Sequence, residues 1–144
     1  MSVLTWCTVI RFTRHRNEKM PFRFLGPVKP GDGSAREQAA SCQKVLGGWA
    51  NIASAYATKR YRSNLINWGM LPFTVDDFDG LALENGDRIY IKGIRKAVEN
   101  AETDIKAALY RKNGTKEDIL LHLTDLSEDE RKIILAGSLI NFYN

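Results

Sequence analysis

The sequence predicts a single α/β domain, on three observations. The chain has 144 residues, of which 44% are hydrophobic and 26% charged, enough for one core. From residue 31 onwards, helical stripes alternate with short apolar runs that are typical of strands. Asn113 and Gly114 stand between two alternating runs and predict an antiparallel hairpin. We therefore expect a compact domain over residues 31–144, preceded by an irregular segment, 1–30, that holds one possible strand in VLTWCTVIRF.

The stretch GDGSARE, residues 31–37, predicts a loop that opens a helix. Ser34 and Glu37 have the S-x-x-E spacing of a capping box, in which each side chain accepts from the other residue's amide. Apolar residues at intervals of three and four predict the buried face, and they include Cys42 as a small core residue. These residues are Ala39, Cys42 and Leu46, followed by the helix stop Gly47–Gly48.

The same stretch also fits an anion-binding site. Ser34 and Arg36 lie at the positive end of the predicted helix, where free N–H groups and the macrodipole favour a carboxylate or phosphate. On local pattern alone a plain helix cap is the commoner explanation. Both interpretations stay open at this point.

The middle of the chain predicts strands around a second helix. ANIASAYA is short and uncharged, as buried strands are, and PFTV and RIYIKGI follow as two more strands. A helix is predicted between ANIASAYA and PFTV. Tyr61, Leu65 and Trp68 share one face of it, and Arg60 and Arg62 lie on other faces. Aromatics interleaved with Lys59 and the arginines also fit single-stranded nucleic acid, although core packing is the commoner role of such a stripe.

Two groups of polar residues invite a site but lack its pattern. Asp76, Asp77 and Asp79 in DDFDG have neither the spaced ligands nor the terminal glutamate of a calcium loop, so we expect a solvated turn. His122 lies opposite the apolar row of its strand. We expect no cysteine or paired carboxylate near it, and therefore a surface or half-buried side chain rather than a base or ligand.

The end of the chain predicts one further helix. Ser127 and Glu130 form a second capping box ahead of Ile133 and Ile134. The final residues, LINFYN, are apolar enough that we expect them to dock on the body of the domain.

Composition favours a soluble protein of a reducing compartment. Cys7 and Cys42 are too few for a disulfide framework or a zinc site, and no run approaches the roughly 20 apolar residues that cross a bilayer. We expect a cytoplasmic protein without a membrane contact. The acid-free start with three arginines leaves mitochondrial targeting as the alternative. The net charge of +4 does not identify a partner.

Four motifs in order resemble the C-terminal swivel domain of the aconitase superfamily. They are GSARE, YRSNLINWGMLPF, NGT and AGSLIN, which together extend from about Gly31 to Asn141. The family's loop is commonly written G-S-S-R-E, and its R-x-N-L…G-x-L-P segment matches Arg62, Asn64 and Leu65 through Pro72. The resemblance implies a β/β/α swivel domain with a mixed sheet or small barrel flanked by helices.

The resemblance also implies half of an active site. It makes Ser34 the catalytic base that removes and returns a carbon-bound proton, and it gives substrate binding to Arg36, Ala35 and Gly33. Ala35 stands where many members have a second serine. A [4Fe–4S] cluster, whose open iron acts as Lewis acid on the departing hydroxyl, is expected on a partner, because it needs three cysteine thiolates.

The function implied is that of a small subunit, or C-terminal portion, of an aconitase-type hydro-lyase, hydratase or isomerase. Its substrate would be a hydroxy di- or tricarboxylic acid, and its partner a large cluster-bearing subunit or missing N-terminal domains. The alternative is a non-catalytic swivel module that binds small carboxylates. Residues 1–30 do not match the family's upstream strand or its further substrate-binding arginine, and nucleic-acid binding is the weakest alternative.

Overall fold

The computed structural model describes residues 30–31, 33–84 and 86–144, together with two short strands before them. In these residues seven strands and five helices follow one another. The strands are β1 (Thr8–Arg11), β2 (Phe24–Leu25), β3 (Ala50–Ala53), β4 (Leu71–Thr74), β5 (Arg88–Ile91), β6 (Asp104–Tyr110) and β7 (Lys116–His122). The helices are α1 (Arg36–Val45), α2 (Lys59–Asn67), α3 (Ile94–Glu99), α4 (Glu128–Ala136) and α5 (Leu139–Tyr143).

The strands form one mixed sheet in the order β1-β5-β6-β7-β4-β3-β2. β2, β3 and β4 run parallel, and all other pairs are antiparallel. The parallel half needs α2 as the crossover between β3 and β4. The prediction of an α/β domain with a mixed sheet is confirmed, and two strands from the first 30 residues belong to that sheet.

The main core follows the period-two pattern of the strands. Ile89 and Ile91 are buried on β5 while Tyr90 is half-buried, as predicted. The hairpin is also confirmed: β6 pairs with β7 along its whole length, and Gly114 in the turn has φ of +90°. Both predicted apolar rows face the core, with Ile119 at its margin; their members are Ile105, Ala107, Leu109, Ile119, Leu121 and Leu123.

A smaller core holds α1 against α2. Tyr61 and Leu65 are buried there with Ala40 and Met70, and Trp68 packs at the margin, which confirms the predicted face of α2. The predicted strand over ANIASAYA is confirmed for its first four residues, all buried.

The predicted face of α1 is wrong by one position. Ala39 and Cys42 are exposed, and Leu46 keeps 62% of its surface. The buried positions are Ala40 and Gln43. Hydrophobic periodicity does not reveal this face, because one of the two buried residues of α1 is a glutamine, whose side chain bonds to Tyr61. The predicted stop is confirmed: the Gly48 and Gly47 amides donate to the carbonyls of Gln43 and Lys44 in a Schellman pattern.

The two predicted elements at the end of the chain differ in outcome. The capping box is confirmed, with the Ser127 hydroxyl accepting from the Glu130 amide and the Glu130 carboxylate from the Ser127 amide. The docking of LINFYN is confirmed only in part. α5 contacts α4, and Leu139 and Phe142 are half-buried. No residue of α5 is fully buried, and Ile140 and Tyr143 are 69% and 78% exposed.

Arg111 ties the hairpin to the loop after β4. Its guanidinium donates to the Leu81 carbonyl at 2.8 Å, to Asp87 at 3.2 Å and to Glu117 at 2.8 Å. Asp87 is 2% exposed; burial alone would raise its pKa, but the amides of Glu84 and Lys112 and the Arg111 guanidinium lower it. The Arg111 side chain therefore joins the hairpin to the loop after β4 at Leu81 and Asp87.

His122 bridges two carboxylates that are distant in sequence. Nδ1 lies 2.9 Å from Asp104 Oδ1 and Nε2 lies 3.3 Å from Asp76 Oδ2. The prediction of a half-buried side chain is confirmed, but the absence of a paired carboxylate is wrong, because β6 and the loop after β4 supply one each. The hydrogen bond to Asp104, and then Asp76, raises the pKa of His122.

This bridge predicts a pH-dependent contribution to stability. A histidine whose pKa is raised by folding stabilises fully below its unfolded pKa of about 6.5 and loses that effect as pH rises through the folded value. We expect His122→Gln to lower the free energy of unfolding by roughly 0.5–1 kcal/mol at about pH 5.5, since both carboxylates are largely exposed, and by less at about pH 8.5.

Urea unfolding at the two pH values measures this difference. Lys116→Gln is the matched control, because it removes an exposed ion pair, with Asp118, from the same strand and leaves His122 and its two carboxylates in place. Equal losses at both pH values for His122→Gln would contradict the prediction.

Candidate active site

The loop before α1 is anchored on the segment between β3 and α2. The Pro30 carbonyl accepts from the Ala57 amide at 3.0 Å. Gly31 has φ of +95°. A Cβ atom built on Gly31 would lie 2.5 Å from Tyr61 Cδ1, a distance too short for any real Cβ contact. Both its backbone angle and its contact therefore require glycine here.

The predicted capping box at this loop is wrong. α1 begins at Arg36, its N-cap is Ala35, and no side chain caps it. Ser34 lies one residue too early to serve, because the first helical bond runs from the Ala39 amide to the Ala35 carbonyl. Among the described residues, no side chain accepts from the first-turn N–H groups, and such groups bind anions readily.

Arg36 is held by one of its three nitrogens. Its half-buried side chain donates from Nε to the Gly31 carbonyl at 3.1 Å. Within the described part of the chain, no carboxylate lies within salt-bridge distance of its guanidinium. Its two terminal nitrogens can therefore take a carboxylate in a bidentate fork.

The other three predicted site residues are exposed. Gly33, Ser34 and Ala35 follow one another in the bend that enters α1. A Cβ on Gly33 would meet no atom within 4 Å, so packing does not require glycine there. The structure places all four predicted residues at one helix end, and their individual roles stay predictions.

A buried polar cluster, which was not predicted, holds the last turn of α1. Gln43 Nε2 donates to the Tyr61 hydroxyl at 2.8 Å, and Asn51 Nδ2 donates to Gln43 Oε1 at 3.1 Å. Burial raises the pKa of Tyr61, and the bonds from Gln43 and Asn51 oppose this. The available signals were an asparagine inside an apolar strand and a glutamine one turn after Ala40.

An apolar groove of about 540 Å³ lies at the opposite end of α1, lined by Trp49, Leu71, Ile94 and Ile134 among others. At its edge Lys44 Nζ lies 3.7 Å from the centroid of the Trp49 ring, and burial lowers the pKa of this lysine. Val45 and Leu46 beside it are strongly exposed. Exposed apolar groups around a groove are typical of interaction surfaces.

The residues considered for nucleic acid do not form a stacking platform. Tyr61 is buried, and Arg62 donates to the Thr124 carbonyl. Stacking needs exposed rings beside free cations. Lys59 and Arg60 are exposed, but the ring next to them in the sequence, Tyr61, is buried.

No metal centre or membrane span is found where the chain is described. There, no three His, Cys, Asp or Glu side chains are grouped as metal ligands would be, and Cys42 lies exposed on α1. Among the same residues, no helix has the length and apolar character needed to cross a bilayer.

Residues 11–77 match the family model of the aconitase C-terminal domain. The chain is 28% identical over 130 residues to mitochondrial aconitate hydratase of Gracilaria gracilis, covering 88% of this chain and 16% of that protein. It is 33% identical over 113 residues to a putative mitochondrial aconitate hydratase of Aspergillus fumigatus, covering 77% and 14%.

Among solved structures, the chain resembles the 3-isopropylmalate dehydratase of Methanocaldococcus jannaschii. The TM-score is 0.57 with 27% identity, over 85% of this chain and 62% of that one. The chain thus spans about one-seventh of the aconitate hydratases that it matches.

Proposed function

We propose that this chain supplies half of a hydro-lyase active site. The premise is that the chain belongs to the aconitase superfamily, as its C-terminal swivel domain. Its substrate would be a hydroxy di- or tricarboxylic acid. The observation that carries the proposal is the start of α1 with Ser34 beside it. Among the described residues, no side chain caps this helix, and none bonds to the two terminal nitrogens of Arg36.

The geometry supports carboxylate binding at this helix end. The open first-turn amides and the Arg36 fork are donors of matching kind, and both favour a negatively charged ligand. The enzymes that the chain resembles are named for acting on aconitate and 3-isopropylmalate. We infer that Arg36 binds one substrate carboxylate and that Gly33 and Ala35 line the same place.

Ser34 is the proposed base for the carbon-bound proton. A free serine hydroxyl is a very weak base, so its alkoxide needs nearby positive groups. The helix N-terminus and the Arg36 guanidinium are the groups on this chain that can supply them. Ser34 has no hydrogen-bond acceptor among the described residues that would compete for its proton.

The rest of the site must come from a partner. A [4Fe–4S] cluster needs more thiolates than Cys7 and Cys42 can provide, so the residues of this chain do not fit it. We propose that a large cluster-bearing subunit, or further N-terminal domains, hold the cluster and contribute the remaining substrate contacts. The exposed apolar groups around the groove at Trp49 supply a surface for such a contact.

The compartment stays a prediction. The sequence favours the cytoplasm with mitochondrial targeting as the alternative, and relatives named as mitochondrial support that alternative.

Replacement of Ser34 tests the proposed base. In enzyme reconstituted with a cluster-bearing protein that lacks its own C-terminal domain, we expect Ser34→Ala to lower kcat by about 10²-fold or more, with KM little changed. Ser41→Ala is the matched control, since Ser41 lies on the same helix and bonds only to the Gln38 carbonyl. Full activity in Ser34→Ala would exclude serine as the base.

Replacement of Arg36 tests carboxylate binding. Arg36→Lys keeps the charge but loses the fork and the Nε bond to Gly31, so we expect KM to rise roughly tenfold, which is the effect of about 1.4 kcal/mol. Arg60→Lys, an exposed change on α2, should leave the steady-state kinetics unchanged. An unchanged KM in Arg36→Lys would count against this role.

Calorimetry on the chain alone separates the subunit from a self-sufficient carboxylate-binding module. If the partner supplies half of the contacts, we expect citrate to bind the isolated chain with a dissociation constant no tighter than about 1 mM. Micromolar binding that Arg36→Ala abolishes would favour the non-catalytic module instead.

A further inference from the structure

Tyr61 of α2 contacts both parts of the proposed site. Its ring packs against Gly31 in the loop before α1, and its hydroxyl accepts from Gln43 on the inner face of α1. The residue is 2% exposed, so these contacts are made away from water. Sequence patterns indicated a core residue or a nucleic-acid contact for Tyr61, but not a role beside the helix end at Arg36.

Gly31 connects the Tyr61 ring to Arg36. Gly31 can lie on the Tyr61 ring because it has no side chain. Its carbonyl accepts the Nε–H of Arg36 at 3.1 Å. The Tyr61 ring thereby fixes the carbonyl that orients the guanidinium.

The helix contact fixes α1 about its own axis. Gln43 lies about two turns after Arg36. Its amide is held between the Tyr61 hydroxyl at 2.8 Å and Asn51 of β3 at 3.1 Å, and Asn51 also donates to Tyr61 at 3.2 Å. A side-chain amide with two directional bonds permits one rotation of the helix, which apolar contacts alone would not specify.

We propose that Tyr61 is the positioning residue of this site: it sets both the loop and the helix rotation that aim Arg36 and Ser34 at the substrate. The effect of Tyr61 on catalysis rests on the proposed function. The hydrogen bond between Tyr61 and Gln43 of α1 belongs to this chain alone, and its effect on α1 is measured separately.

A neighbouring tyrosine provides a matched control. Tyr56 lies 6.2 Å from Tyr61 between ring centroids and is half-buried. Its hydroxyl donates to the carbonyls of Asn51 and Phe73, at 3.2 and 2.9 Å, and so binds the sheet rather than α1. Tyr56→Phe and Tyr61→Phe each delete one hydrogen-bonded hydroxyl, but only the Tyr61 hydroxyl holds α1.

Amide hydrogen exchange on the whole chain gives the first readout. We expect Tyr61→Phe to raise exchange rates over residues 36–43 roughly five- to tenfold relative to the β6–β7 hairpin. Tyr56→Phe should leave that ratio unchanged. Gln43→Met removes the bond to Tyr61 from the α1 side together with the bond from Asn51, so it should raise the α1 rates at least as much as Tyr61→Phe. This second variant keeps the test decisive if Tyr61→Phe folds poorly. Equal α1 rates in the Tyr61→Phe and Tyr56→Phe chains would overturn the proposal.

Kinetics of the reconstituted enzyme give the second readout. Tyr61→Phe should lower kcat/KM about tenfold or more, because a small misplacement of catalytic groups is costly, while Tyr56→Phe stays within about twofold. An inactive wild-type reconstitution would refute the proposed function, and the exchange experiment would still decide on Tyr61. Altered exchange with unchanged kinetics would refute the positioning role in an active enzyme.

Discussion

The contact between Tyr61 and Gly31 is the constraint on which the candidate site depends. A glycine with φ of +95° lies on an aromatic ring, and no side chain fits between them. From this point the chain turns into α1, whose inner face is then held by Gln43 and Asn51. The mixed sheet supplies the frame, since Asn51 belongs to β3 and Tyr61 to the helix that crosses from β3 to β4. The site is thus built on a crossover unit rather than on a free loop.

The features that sequence patterns predicted correctly are those set by neighbours in the chain. The hairpin at Gly114 and the capping box at Ser127 depend on residues within three or four positions, and the alternation on β5 reports a buried face directly. The face of α1 was missed because its inner contact is a polar one made across the fold. The carboxylates beside His122 were missed for the same reason, since they lie 18 and 46 positions away in the sequence.

The motif at residues 33–37 indicated the candidate site but did not predict its geometry. The spacing of Ser34 and Glu37 satisfies a capping box, yet the helix begins one residue later than that box requires. The one-residue difference changes the chemistry. A capped helix end would have used the Ser34 hydroxyl to satisfy its own amide, whereas an uncapped end leaves both the hydroxyl and the amides for a ligand.

The exposure of Ser34 gives the proposed partner a second role. An alkoxide in contact with water takes up a proton, and water also weakens the field of the helix end and of Arg36. Arg36 is already half-buried and oriented by Gly31, but Ser34, Ala35 and Gly33 are all exposed. A partner that carried a cluster without covering this bend would leave the base inactive. Enclosure of the bend at Ser34 is therefore as necessary to the proposed reaction as the cluster itself.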